Sequence, residues 1–384
     1  MKNFIYQNPV KILFGKGQIG RLQNEVPKGA RIMLTYGGGS IFKNGVYHQV
    51  IEALKGYHII EFGGIEPNPR FETLMKAVAI ARAENIDFLL AVGGGSVIDG
   101  TKFIAAAVSF EGDPWDILSK GARIKDAVKL GTVLTLPATG SEMNSNSVVT
   151  NERLQRKLAF ASPYVYPLFS ILDPEVTYSL PKRQVANGLV DSFVHVMEQY
   201  MTIPSDAPLN DRLAESILKT LIELAPDALK EIPDYENRAN LMWSSTMALN
   251  GLIGLGVPND WATHGIGHEL TALHGIDHAV TLAIVLPGLL RVMKDQKRIK
   301  LLQYADRVWN LTQGSEEERI EKCIQLTEDF FRSTGILTRL SEHNVGFETI
   351  DEIVKRFSLP GARRLGELGN IDADKIKQIL VSRV

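Results

Sequence analysis

The sequence has a single cysteine, Cys323, among its 384 residues. It cannot form an internal disulfide, and the spacing of RIEKCIQLTEDFF predicts an amphipathic helix with a buried, structural thiol. Long apolar runs are also missing, since the stretch LAIVLPGLL is far too short to cross a bilayer. The N-terminal stretch MKNFIYQNPVKILFG has no apolar core followed by a cleavage site of small residues. We therefore expect a cytoplasmic protein with no membrane partner.

The chain also has no large excess of charge of either sign. It contains 42 Lys and Arg residues and 44 Asp and Glu residues, and its net charge is -2. No basic tract stands out, so nucleic acid is not an expected partner. Hydrophobic residues make up 45% and charged residues 22%, the balance of an ordinary globular protein. A chain of this length is long for one core and sufficient for two domains.

The first half of the chain alternates short apolar runs with helical patterns. The runs at 31–36, 57–62, 87–92 and 132–138 predict strands, and the segments between them predict helices. Apolar strands separated by helices indicate a parallel sheet buried on both faces. We expect an α/β domain over residues 1–178, with a doubly wound, mainly parallel sheet that binds ligands at the carboxyl ends of its strands.

The second half has a different pattern. Long segments with apolar residues at three- and four-residue intervals follow one another without a convincing strand, for example at 180–201, 211–232 and 317–336. We therefore predict an all-α domain over residues 179–384, which follows the α/β domain.

Three polar loops follow predicted strands. Two of them are GGGS segments, at 37–40 and 93–96, and the third, TLPATGSEMN, offers the hydroxyls of Thr135, Thr139 and Ser141. Glycines let the backbone approach a ligand closely, and the helix expected after the second loop presents N–H groups to a phosphate. The pattern is neither G-x-G-x-x-G nor a Walker loop, and a lone GGGS is often only a tight turn. Three such loops at one sheet edge favour a nucleotide site, with the pyrophosphate over residues 93–96.

The stretch THGIGHELTALHGIDH contains four of the chain's eight histidines. His264 and His268 would share one helix face, and so would His274 and His278. A straight helix would separate His264 from His278 by roughly 21 Å, so one ion can bind both only if the chain folds back. The HGID sequence permits this, with Gly275 ending one helix and the side chain of the aspartate, Asp277, capping the next.

Asp191 and His195 lie four positions apart in an otherwise apolar helical pattern further upstream. Alone, such a pair is more often an internal hydrogen bond, but together with the later histidines it favours a metal site. One carboxylate and three imidazoles suit Fe²⁺, Zn²⁺, Ni²⁺ or Co²⁺. The alternative is a polar network in a helical core that binds no metal.

The chain resembles the group III, iron-containing type of metal-dependent alcohol dehydrogenase. It is most similar to the branch of NADPH-dependent aldehyde reductases and butanol dehydrogenases. The resemblance extends over nearly the whole length and rests on ordered motifs: NPVKILFGKG, TYGGGS, GGIEPNP, AVGGGSVIDGTKFIAAA, LTLPATGSE, ANGLVDSFVHVMEQY and PNDWATHGIGHELTALHGIDHA.

The resemblance implies that one divalent metal ion, iron, zinc or a similar metal, is bound in the helical domain. Its implied ligands are Asp191, His195, His264 and His278. His268 matches a histidine close to the metal, which makes it the candidate catalytic residue that passes a proton. His274 is expected outside the ligand set.

The resemblance also implies NADP(H) as cofactor and a homodimer. Lys157 matches a lysine near the nicotinamide ribose, and Gly39 stands where NAD-preferring relatives carry an aspartate. Without that charge, and with Ser40 and Lys43 near a 2′-phosphate, NADPH is the expected cofactor. The full set of expected cofactor-binding residues is Gly38, Gly39, Ser40, Asn68, Gly93, Gly94, Gly95, Ser96, Asp99, Thr135, Thr139, Ser141 and Lys157.

The implied activity is hydride transfer between NADP(H) and a short-chain aldehyde or primary alcohol, with the metal polarising the substrate oxygen. Two alternatives stay open. One is another metal-dependent enzyme of the same architecture, such as a polyol dehydrogenase or a synthase. The other is a non-catalytic module that binds a nucleotide and a metal.

Overall fold

The computed structural model describes residues 1–384 and contains two compact units. The sheet unit comprises Gln7–Pro181 and Ile232–Thr246, and the helical unit comprises Met1–Tyr6, Lys182–Glu231 and Met247–Val384. The division into functional domains at residue 178 stays a prediction. One boundary in the sequence does not describe the two compact units. Residues 1–6 belong to the helical unit, and residues 232–246 belong to the sheet unit.

The sheet unit contains eight strands, β1 (Lys11–Phe14), β2 (Arg31–Tyr36), β3 (His58–Phe62), β4 (Phe88–Gly94), β5 (Lys129–Leu136), β6 (Asn146–Asn151), β7 (Arg156–Ala161) and β8 (Phe169–Leu172). Six of them form a parallel sheet with the strand order β1-β8-β5-β4-β2-β3. A separate antiparallel hairpin consists of β6 and β7. The four predicted strands are confirmed as β2, β3, β4 and β5, whereas β1, β8 and the hairpin were not predicted.

Helices cover both faces of this sheet, which confirms the predicted doubly wound class. Successive residues of one strand pack to opposite sides, so Leu89 and Ala91 belong to one buried cluster while Leu90 and Val92 belong to another. The helices of this part are α1 (Leu22–Glu25), α2 (Ser40–Lys43), α3 (Val46–Ala53), α4 (Phe71–Ala83), α5 (Gly95–Val108) and α6 (Asp116–Ser119).

The helical unit contains no strand, as predicted for the second half of the chain. Pro181 directly precedes the helix Lys182–Tyr200, and a capping box between Ser315 and Glu318 begins the helix Glu316–Ser333. The helix Tyr235–Ala248 contains the boundary at residue 246. The helices after residue 181 are α7 (Lys182–Tyr200), α8 (Pro208–Ala228), α9 (Tyr235–Ala248), α10 (Ala262–His274), α11 (His278–Val292), α12 (Arg298–Arg307), α13 (Glu316–Ser333), α14 (Phe347–Ser358) and α15 (Ala373–Val381).

Cys323 is buried in α13, as predicted, and burial raises the pKa of its thiol to about 12. None of the helices combines the length and the apolar character that a membrane span needs.

The turn between α10 and α11 forms at the HGID sequence, as predicted. Gly275 ends α10 in the left-handed conformation, with φ 68°, and Asp277 directly precedes α11. The predicted capping bond of Asp277 is wrong, because its side chain makes no hydrogen bond to the first turn of α11. Its carboxylate accepts hydrogen bonds from Arg183 and from Asn187 Nδ2 (2.9 Å) on α7, where a cation offers a stronger partner than a backbone N–H group.

Candidate functional site

Three histidine side chains of the helical unit converge on one carboxylate oxygen, Asp191 Oδ1. His195 lies one turn further along α7, and its Nδ1 is 3.6 Å from this oxygen. The Nε2 atoms of His264 on α10 and His278 at the start of α11 are 4.0 Å and 3.8 Å from the same oxygen. The structure therefore brings together all four residues that were expected to bind a metal.

The other two histidines of the stretch lie at different distances from this group. The His268 ring is 5.3 Å from the His278 ring and 6.1 Å from the His264 ring, and its side chain is only partly buried. His274 is exposed, and its Nε2 lies 2.8 Å from Thr349 Oγ1 on α14. His268 thus lies beside the cluster, while His274 contributes to packing against another helix.

The donor set fits a divalent transition metal. Asp191 Oδ1 and His195 Nδ1 are buried without a hydrogen-bond partner, an arrangement that costs free energy and that a cation would relieve. Ligand atoms of Asp191, His195 and His264 lie within 4.8 Å of one another. Burial lowers the pKa of His195 to about 4, which keeps the ring in the neutral form that binds metals. One carboxylate with several imidazoles suits Fe²⁺ or Zn²⁺.

Glu198 also belongs to this cluster, although the sequence analysis did not single it out. It is buried on α7, its Oε2 contacts His264 Nδ1, and its Oε1 accepts hydrogen bonds from the backbone N–H groups of Thr263 (2.6 Å) and His264 (3.2 Å). Burial raises the pKa of Glu198 to about 7, against the effect of these hydrogen bonds. The sequence feature that could have indicated this residue is an acidic side chain three positions after His195 in an otherwise apolar helical pattern.

The three polar loops lie at one edge of the sheet. Strand β4 pairs with both β2 and β5, so the loops that follow these three strands are neighbours. The chain extends the sheet outward from β2 to β3 and then continues on the other side of β2, which is the type of switch point where such sheets bind ligands. Ten of the expected cofactor-binding residues lie in or beside these loops: Gly38, Gly39, Ser40, Gly93, Gly94, Gly95, Ser96, Thr135, Thr139 and Ser141.

Two glycines of the second loop are required by close packing. A Cβ atom on Gly95 would lie 2.4 Å from Thr139 Oγ1, and one on Gly93 would lie 2.5 Å from Val97 Cγ2. Helix α5 begins at Gly95, two residues before the expected position, and no side chain caps its first turn. The backbone N–H groups of this turn are therefore presented at the sheet edge.

A buried polar network lies below the second and third loops. The Ser141 hydroxyl donates to Asp99 Oδ1 (2.5 Å) and accepts a hydrogen bond from Lys102 Nζ (2.9 Å), while the N–H group of Val148 donates to Asp99 Oδ2 (3.0 Å). Burial raises the pKa of Asp99 and lowers that of Lys102 to about 8. Lys102 was missed by sequence reasoning, and the signal was a lysine within an otherwise apolar helix.

The remaining two expected cofactor residues meet at the same edge. Lys157 Nζ on β7 donates to Asn68 Oδ1 (2.7 Å), and the N–H group of Asn68 donates to Ser96 Oγ (3.2 Å). Asn68 has φ 57°, a conformation that asparagine adopts more easily than most residues. Asn68, Ser96 and Lys157 are therefore directly connected.

Comparisons with known proteins identify the family of both parts of the chain. Residues 9–174 match the family of iron-containing alcohol dehydrogenases, and residues 185–384 match the C-terminal region of the Fe-containing alcohol dehydrogenase family. The chain is 55% identical over 382 residues to the NADPH-dependent aldehyde reductase YqhD of Escherichia coli (strain K12), with 99% of each chain covered. It is 43% identical to the probable NADH-dependent butanol dehydrogenase 1 of Bacillus subtilis (strain 168), again with 99% of each chain covered.

Solved structures give the same result. The substrate- and cofactor-free form of the aldehyde reductase YqhD from E. coli matches with a TM-score of 0.92 and 53% identity over 100% of both chains. The NADH-dependent butanol dehydrogenase A from Thermotoga maritima matches with a TM-score of 0.95 and 36% identity, covering 100% of this chain and 99% of that one. With a parallel sheet edged by glycine loops, a carboxylate ringed by histidines and these matches over its whole length, the chain is an oxidoreductase that belongs to the iron-containing alcohol dehydrogenase family.

Proposed function

We propose that this enzyme is an NADPH-dependent aldehyde reductase, which transfers hydride between NADP(H) and short-chain aldehydes or primary alcohols. The observation that carries the proposal is the convergence of three imidazoles on buried Asp191 Oδ1. The relative at 55% identity is named as an NADPH-dependent aldehyde reductase, and the one at 43% as a probable NADH-dependent butanol dehydrogenase. Both names concern the same pair of functional groups, an aldehyde and a primary alcohol.

In this proposal, Asp191, His195, His264 and His278 hold one divalent ion such as Fe²⁺ or Zn²⁺. When bound, the ion supplies Lewis acidity toward the oxygen of the substrate. Burial lowers the pKa of His195, so this ring stays in the neutral form in which an imidazole binds a metal. Partly buried His268 lies beside the His278 ring and would pass the proton that the product oxygen requires.

The sheet edge would hold the dinucleotide. The backbone N–H groups at Gly95 and Ser96, at the uncapped start of α5, suit the pyrophosphate. Lys157, held by Asn68, would lie near the nicotinamide ribose, and the loop at Gly39 near the adenosine ribose. The bound cofactor supplies the hydride, while these residues fix its position.

The test is the nicotinamide absorbance of purified enzyme supplied with Fe²⁺ or Zn²⁺, NADPH and butanal. We expect NADPH to be consumed in proportion to enzyme, and much less in the His278→Ala variant. Oxidation of glycerol without any reduction of butanal would instead indicate a polyol dehydrogenase. Metal-loaded enzyme that turns over no aldehyde and no alcohol would indicate a non-catalytic module.

We also propose a homodimer, on the basis of the family resemblance, and a cytoplasmic location. Light scattering on the purified protein measures the mass in solution against the 42.5 kDa of one chain. A mass of one chain at all concentrations would contradict the dimer.

A further inference from the structure

We propose that Glu198 is a positioning residue that fixes the orientation and the proton of the His264 ring, and thereby sets the affinity of the metal site. This inference rests on the metal site proposed above. Asp191, His195 and Glu198 follow one another at helical spacing on α7, so all three side chains lie on one face of this helix. All three are buried.

The Glu198 carboxylate replaces a missing helix cap. Trp261 precedes α10 in a left-handed conformation, with φ 62°, and its side chain makes no capping hydrogen bond. The N–H groups of Thr263 and His264 in the first turn donate instead to Glu198 Oε1. A negative charge at the start of a helix is also favoured by the helix dipole. One oxygen of Glu198 therefore holds the backbone of α10 at the position of His264.

The second oxygen of Glu198 acts on the His264 ring. Oε2 contacts Nδ1, so one proton lies between carboxylate and imidazole on the side of the ring away from Nε2. Nε2, which faces Asp191 Oδ1 at 4.0 Å, then carries the lone pair that a metal requires. A carboxylate that holds the distal nitrogen of a metal-binding histidine also raises the basicity of the ligand.

The backbone at the start of α10 is also held by contacts that do not involve the Glu198 carboxylate. The N–H group of Asp260 donates to the backbone oxygen of Glu198 (2.9 Å), and Asp260 Oδ1 accepts from the N–H group of Ala262 (2.9 Å). Buried Lys297 forms an ion pair with Asp260 Oδ2 (2.7 Å). Because these contacts stay when the Glu198 side chain changes, we expect substitution there to leave the fold of this segment intact.

The Glu198→Gln variant distinguishes a role of Glu198 as a helix cap from a role in positioning the His264 ring. Its amide oxygen still accepts from the two backbone N–H groups, but its NH₂ group can only donate toward Nδ1. The proton of His264 is then displaced to Nε2, where it competes with the metal. We expect the dissociation constant of the metal-free protein for Zn²⁺ to rise about 10–100-fold, measured by competition with a chromophoric chelator. The absorption bands of the Co²⁺-loaded variant should also shift, while the thermal unfolding midpoint of metal-free protein stays close to wild type.

Glu215→Gln is the matched control. Glu215 is another buried glutamate of the helical unit, with hydrogen bonds from Tyr200 and Arg307, and its substitution should leave the Zn²⁺ dissociation constant unchanged. In a His264→Ala background, Glu198→Gln should cause no further loss of affinity, because the ring on which it acts is absent.

The possible outcomes distinguish this inference from the proposed function. Wild-type Zn²⁺ affinity in Glu198→Gln overturns the positioning role and leaves Glu198 as a helix cap. If wild type binds no Zn²⁺, or His264→Ala binds it as well as wild type, the proposed metal site itself is wrong. Should Glu198→Gln fail to fold, ¹⁵N NMR of histidine-labelled wild type, with His264→Ala for assignment, reports the tautomer directly. A proton on Nδ1 supports the inference, and a proton on Nε2 overturns it.

Discussion

Asp191 lies at the centre of the metal site proposed in the helical unit. Its Oδ1 atom lies within 4.0 Å of nitrogen atoms from three helices, and a buried carboxylate oxygen without a hydrogen-bond partner is unfavourable unless it binds a cation. His278 is less buried than the other three candidate ligands, Asp191, His195 and His264. Its assignment as a ligand also depends on the turn that reverses the chain between α10 and α11.

Replacing His278 by alanine should remove most of the bound metal and most of the turnover, because the site loses one of four donors. Metal analysis of the purified protein, with circular dichroism to confirm the fold, measures this loss. His274→Ala is the control, since this exposed histidine lies in the same helix pair but contacts Thr349 instead. Full metal content in the His278 variant would remove this residue from the site.

His268→Ala should behave differently, with metal retained and turnover reduced about 10–100-fold. The His268 ring lies 5.3 Å from the His278 ring, close enough to pass a proton near the metal without itself being a ligand. The measurement is turnover as a function of pH, in parallel with metal content. Near-normal turnover with an unchanged pH profile would show that His268 only packs against its neighbours.

The α10–α11 helix pair shows how one turn makes a metal site possible. Gly275 reverses the chain, so His264 and His278 meet although a straight helix would hold them far apart. The carboxylate of Asp277 then joins the turn to α7 through Arg183 and Asn187. Two of the four proposed ligands, His264 and His278, therefore lie close in sequence to the turn that brings them together.

Gly275→Ala should lower the free energy of unfolding of the metal-free protein by about 1–2 kcal/mol. The cost comes from the backbone alone, because φ is 68° and no atom lies within 4 Å of an added Cβ. Gly275→Asn should cost less, since asparagine tolerates this conformation better. Denaturant unfolding of both variants measures the difference. Equal stability of Gly275→Ala and wild type would mean that the turn relaxes without cost.

Across the chain, the elements that were predicted correctly are those that a short stretch of sequence specifies by itself. The strands β2 and β4 are continuous apolar runs, and the turn at Gly275 follows from one glycine between two periodic patterns. Strands β1 and β8 were missed because four residues are too short for a periodicity to show.

Tertiary partners could not be predicted in the same way. The carboxylate of Asp277 sits at a capping position, yet it bonds to Arg183, which lies far away in sequence. Glu198 contacts His264, and Lys102 donates a hydrogen bond to Ser141. Both partners are distant in sequence, and only the fold brings them together. Helical spacing indicated a metal site among Asp191, His195 and the later histidines. The ligand set itself was implied by the family resemblance, and it stays a proposal.

Cofactor choice is a property of the whole enzyme, and the relatives do not decide it. The one at 55% identity is named for NADPH and the one at 43% for NADH. In this chain the loop after β2 carries glycine at position 39, with φ 90°, and a Cβ there would lie 3.3 Å from the Phe42 ring. Any side chain at Gly39 therefore strains the backbone, so the effect of charge has to be separated from the effect of strain.

The variants Gly39→Asp and Gly39→Asn separate the two effects, because the side chains have nearly the same shape and only the first is charged. If the loop lies at the adenosine ribose, as the family resemblance implies, the aspartate repels the 2′-phosphate of NADPH but can accept hydrogen bonds from the ribose hydroxyls of NADH. We expect wild type to prefer NADPH, and the ratio of kcat/KM for NADPH over NADH to be at least about tenfold lower in Gly39→Asp than in Gly39→Asn, a difference of about 1.4 kcal/mol. Kinetic constants for both cofactors at fixed ionic strength provide the test, and higher salt should narrow the difference. Preference of the wild type for NADH, or equal ratios in the two variants, would show that this loop does not recognise the 2′-phosphate.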